Sequence, residues 1–155
     1  MPPLRGLLLA IDLATRNRDA ASAVVQQWQH VCFGAQNQMG QLESYAMETE
    51  SNWALGSRSS AQPEIMRHYD QFMERLQQAV DMQRGVVEEH LRATASARQS
   101  LLEAEIRIAG LKRLLDTRRA SAARVQGRQE QKQLDDLSAL QFRRLHASPD
   151  NLEIR

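Results

Sequence analysis

The side chains best able to do chemistry in this chain are four histidines, one cysteine and a run of cations. His30, His68, His90 and His146 lie far apart, and Cys32 has no second thiol, so neither a metal site nor an internal disulfide is expected. The seven glycines are isolated, and none stands in the G-x-x-x-x-G-K-[ST] frame that cradles phosphate. There is no G-x-S-x-G elbow and no H-E-x-x-H helix. The expectation is a protein with no catalytic residues, cofactor, metal or small-molecule substrate, which acts by binding.

The cations give that expectation a place. Within residues 112–132, Lys112, Arg113, Arg118, Arg119, Arg124, Arg128 and Lys132 stand against Asp116 and Glu130, a local charge of +5 on a chain of net charge +1. Residues 64–111 hold six arginines against eight acids. The basic segment leads into Ala122, Val125, Leu134, Leu137, Leu140 and Leu145, an amphipathic pattern that predicts a polar, acidic socket on a protein partner. Nucleic acid is the competing partner. It is not expected, because the net charge is low and no aromatic residues interleave with the cations.

Two long helices must carry these groups. No proline falls between Pro63 and Pro149, and Tyr69, Phe72, Leu76, Val80, Val87, Ala97, Leu101, Ala104, Ile108, Leu111, Leu115, Ala122 and Val125 recur at helical spacing. At about 1.5 Å per residue this helix would span on the order of 120 Å, so the stripe reads as a coiled-coil seam. A slip in that seam is expected between Val80 and Val87. Upstream, a 4-3 alternation runs through Ile11, Ala14, Arg18, Ala21, Val25, Trp28, Cys32, Ala35, Met39, Leu42, Ala46, Thr49 and Trp53. It predicts helix 1 over residues 4–54 and a left-handed supercoil. Gly34 and Gly40 should weaken helix 1 while letting its partner approach closely.

Residues 55–63, with Gly56 and Pro63, read as a loop between helices. So short a connection implies an antiparallel hairpin in which facing residue numbers sum to about 118. That pairing sets Leu42 opposite Leu76, Tyr45 by Phe72, Gln38 by Ala79, Trp28 near His90 and Ile11 near Arg107. Helix 1 can then cover helix 2 over residues 64–115 only, leaving 116–147 as an overhang and 148–155 as a polar tail expected to fray. The predicted fold class is all-α, a long antiparallel two-helix coiled-coil hairpin with an overhanging C-terminal helix.

Composition agrees. Aromatics at 5%, charged residues at 25% and a mean hydropathy of −0.54 leave little for a thick core. The apolar run at residues 7–11 is too short for a signal peptide or membrane span, and a lone cysteine suits a reducing compartment, so a cytosolic protein is expected. Cys32 reads as a small buried hydrophobe and His90 as a seam histidine. Tyr45 falls outside the stripe of helix 1, yet lies beside Phe72 and Leu76 across the hairpin, either as a plain surface tyrosine or as part of a binding surface.

The run Tyr69-Asp-Gln-Phe-Met-Glu-Arg-Leu-Gln-Gln-Ala79, followed by Gln131-Lys-Gln-Leu-Asp-Asp-Leu137 on a hairpin of these proportions, resembles the flagellar export protein FliJ family; Cys32, Ala35, Gln38, Leu42 and Tyr45 also fit its first helix. The resemblance implies a component of the flagellar type III export apparatus, serving motility and chemotaxis: a two-helix stalk similar to the shaft of rotary ATPases. Such a stalk inserts the end bearing both termini into a hexameric export ATPase and promotes ring assembly. It couples the ring to the cytoplasmic domain or linker of the export gate membrane protein, and escorts export chaperones at the cytoplasmic face of the inner membrane. The gate-binding surface carries over to Gln38, Leu42, Tyr45, Phe72, Leu76 and Ala79. Thr49 and Gln83 depart from the family's tyrosine and histidine at two further positions. For the ATPase end, charge and position on the overhang favour Arg118, Arg119, Arg124, Arg128 and Lys132 as polar contacts, with Leu134 and Leu137 as the apolar grip. The alternatives are the equivalent stalk of a virulence-type injectisome, a nucleic-acid-binding coiled coil using the basic segment, and a chaperone that escorts unfolded cargo.

Overall fold

The computed structural model describes residues 4–56 and 62–147. All of these but Gln62 are α-helical, in α1 (Leu4–Gly56) and α2 (Pro63–Ala147), with no strand among them. The two helices pack against each other as a coiled-coil hairpin. Residues 57–61 of the expected loop and the expected polar tail at 148–155 lie outside the described residues. Gly56 remains helical and no glycine among the described residues takes a positive φ, so Gly56 is not a left-handed cap. At the start of α2, Pro63 occupies the first turn, where its missing N–H costs nothing, and the Gln62 carbonyl accepts the N–H groups of Ile65 and Met66 at 3.0 and 3.1 Å.

The chain divides into two compact units, Leu13–Arg107 and a second made of Met1–Asp12 with Ile108–Arg155. In the first unit the seam of α1 follows the expected alternation from Ala14 to Trp53, and none of its members is exposed. Four cross-helix contacts fix the antiparallel pairing. Trp28 and His90 rings lie 5.7 Å apart, Tyr45 and Phe72 6.2 Å, Trp53 and Tyr69 4.3 Å, and Gln83 Nε2 donates to the Ala35 carbonyl at 3.0 Å. Their residue numbers sum to between 117 and 122, against an expected value near 118.

The seam of α2 differs from expectation in two places. Phe72 is not in it: Met73 takes the inward position between Tyr69 and Leu76, and Phe72 is exposed. Nor does the seam slip after Val80. It continues as Gln83, Val87, His90, Thr94 and Ala97 in unbroken 4-3 alternation, with polar side chains at three inward sites. Two of them are hydrogen-bonded and the third, His90, packs its ring against Trp28. Gln83 reaches Ala35, and Thr94 Oγ1 donates back to the His90 carbonyl at 2.8 Å. Cys32 is buried in this seam, as expected. Gly34 and Gly40 lie on the outer surface with open space where a Cβ would stand, so they do not bring the helices closer.

In the second unit Leu7, Ile108 and Leu115 are buried, Arg118 and Ala122 are half-buried, and every residue over 123–147 is exposed. The cover over α2 stops where the heptad positions of α1 run out at Leu4, but the helix does not.

Candidate functional site

In heptad terms the inward residues occupy positions a and d, and the residues flanking them occupy e and g. Antiparallel pairing sets g beside g and e beside e. Among the residues expected to bind the gate, Gln38, Tyr45, Phe72 and Ala79 all fall at g, on one flank of the first unit, whereas Leu42 and Leu76 fall at d. The structure brings Tyr45 and Phe72 together edge to face, with ring planes at 84°. They are 52% and 41% exposed, so this apolar pair faces solvent. Leu76, at 8% exposed, lies in the seam and Leu42 is half-buried, so these two support the surface from below. Beside Tyr45 a shallow groove of about 610 Å³ runs over Gly40, Gln41, Ser44 and Glu48, where Gly40 leaves out a side chain.

The opposite flank is different in kind. Its e positions carry Glu43, Glu50, Asp70, Arg84, Arg98 and Glu105, and Arg84 approaches Glu43 across the hairpin at 4.0 Å. Both partners are about half exposed, so the pair orders the flank more than it stabilises it.

On the overhang, Arg118 is half-buried at the last covered turns, and Arg119, Arg124, Arg128 and Lys132 are exposed. Leu134 and Leu137 are exposed as well. Continued past Val125, the seam register meets Gln129, Lys132, Asp136, Ala139, Arg143 and His146, and so becomes polar. At about 100° per residue, Leu134, Leu137 and Leu145 share the face of α2 turned away from that register. The apolar residues of the overhang therefore do not continue the seam as one stripe. Leu134, Leu137 and Leu145 form a separate surface on the outer side of the helix, whereas Leu140 stays at e beside the seam register, a change visible when heptads are counted past Val125. Phe142 stacks on His146 at 3.9 Å beside it.

Among the described residues no group of His, Cys, Asp and Glu is placed to hold a metal ion, and no helix is long and apolar enough to cross a membrane. The surfaces offered are thus an aromatic flank with Arg107 as its one charged g residue on the first unit and a basic helix with an outward leucine face on the second. Residues 7–146 match the family model described as the flagellar FliJ protein. No curated protein and no solved structure matches the chain.

Proposed function

The chain belongs to the flagellar FliJ family, which serves flagellar protein export, and on that footing we propose that it is a stalk of the export ATPase. In this reading the overhang enters the hexameric ring, with the basic side chains between Arg118 and Lys132 meeting acidic groups and Leu134 and Leu137 filling an apolar socket. Ring assembly is favoured because one helix touches several subunits at once. The flank around Tyr45 and Phe72 binds the cytoplasmic part of the export gate membrane protein, which brings the chain to the cytoplasmic face of the inner membrane at the flagellar base. Empty export chaperones are escorted by the same protein, which has no catalysis of its own.

The observation that supports this most strongly is the overhang at residues 123–147, helical throughout and exposed along its whole length. A lone helix with an apolar face loses that exposure only on meeting a partner. ATP hydrolysis by the cognate export ATPase, titrated with this protein while hexamer formation is followed, tests the reading. Saturable stimulation with more hexamer is the expected result, and no change in either quantity overturns it.

A further inference from the structure

The g flank of the Leu13–Arg107 unit extends well beyond the aromatic pair. Counting in sevens from Tyr45 and Phe72, the register sets Val31 with Val86, Val24 with Ala93 and Asn17 with Ser100. Val24, Val31 and Val86 are between 37% and 44% exposed. Asn17 and Ser100 line one cavity of about 280 Å³ together with Glu103 and Arg107, so the two helices border a common groove at that level too, and its end there is charged.

Flanks of coiled coils ordinarily carry the charges that choose partners. Here each helix contributes six e and six g positions to the unit; six of the twelve e residues are ionised, but only Arg107 among the twelve g residues. The outer rim of the g groove, at the adjoining c positions, bears Glu48, Glu89 and Glu103 against Arg75. A mostly apolar floor, free of charge over the levels from Asn17 to Tyr45, with three acids and one base on its rim, disfavours nucleic acid and an anionic lipid surface. A second copy of the chain would set like rims against each other.

We infer that this groove docks one α-helix of another protein, carrying an apolar stripe at heptad spacing and no acidic side chains along its flanks, to make a local three-helix bundle. The floor from Asn17 to Tyr45 fits a helix of about 28 residues, on the order of 40 Å. Three of its levels lie outside the gate patch, so the inference reaches beyond the proposed gate contact and can fail without it.

The test uses the full chain and three labelled peptides of about 28 residues, identical in their leucine stripe and flanked by Gln, Lys or Glu. Fluorescence anisotropy with trace peptide should show saturable binding of the Gln and Lys forms, and binding of the Glu form weaker by about tenfold or more. Val31→Asn with Val86→Asn should weaken the Gln form by about tenfold, and Leu91→Asn on the other flank should change it by less than about twofold. Circular dichroism checks that the variants stay helical, and the peptide comparison needs no variant at all. No saturable binding, equal binding of the Glu form or equal loss with Leu91→Asn would overturn the proposal. So would sedimentation showing a dimer of the chain that Val31→Asn with Val86→Asn dissolves.

Discussion

Tyr45 meets Phe72 edge to face at 6.2 Å across the hairpin, yet both rings keep about half their surface in water. Such a pair contributes about 0.5–1.5 kcal/mol to joining the helices. Its exposed faces remain available to a partner. Phe72→Ala is therefore expected to weaken binding of the export-gate cytoplasmic domain while leaving helix content and ATPase stimulation nearly intact. Pull-down and hydrolysis assays on one preparation check this, and equal loss of both activities would contradict separate surfaces.

Leu134→Asp with Leu137→Asp should abolish stimulation of the export ATPase without lowering the melting temperature. Both side chains are exposed, so charge there disturbs no packing. A fall in melting temperature comparable to a core substitution would show that the leucines are covered within the protein itself.

Truncation after Thr117 removes the exposed helix and its outward leucine face. Stimulation should be lost, while the unfolding midpoint changes little, because Leu115 and the seam before it are retained. Full stimulation by the shortened chain would remove the overhang as the grip.

Gly85→Ala is expected to stabilise the protein by about 0.5–1 kcal/mol, since a mid-helix glycine carries an entropic cost. Nothing lies within 4 Å of the position a Cβ would take there. Urea denaturation measures the gain, and a loss of stability would mean that this face is occupied.

Gln83→Leu should also stabilise, by about 1 kcal/mol or more, by placing an apolar side chain at an inward position. The Ala35 carbonyl that Gln83 now meets is already part of a helix and keeps its backbone bond. Because a polar seam residue also specifies register, the variant should show less sharp cross-helix pairing, read by double electron resonance between labels at Asn37 and Gln78. Unchanged or reduced stability would show that the hydrogen bond outweighs the burial.

How much of this the sequence revealed depends on the residue. In α1 every inward position from Ile11 to Trp53 was readable, because apolar residues hold a strict 4-3 spacing that only Arg18 and Thr49 interrupt singly, and a helix with that period must turn one stripe inward. In α2 the same spacing was hidden at Gln83, His90 and Thr94. Periodicity scored by hydrophobicity skips a polar residue even when geometry places it inside, so Phe72 looked inward and a slip appeared after Val80. The length of α1 against α2 fixed the overhang in advance, through arithmetic alone.

What the chain determined by itself was local: two helices, their antiparallel sense and the residue number where the cover ends. Tertiary packing decided the rest. The loop length had already set Tyr45 beside Phe72 and Trp28 near His90; what packing decided was that Gln83, His90 and Thr94 turn inward, so that Phe72 lies on the flank with Tyr45 rather than in the seam. A stripe scored within one helix carries no record of the partner group that accepts a polar side chain such as Gln83, so the inward path of α2, and with it the two flanks, became readable only once α2 was seated on α1.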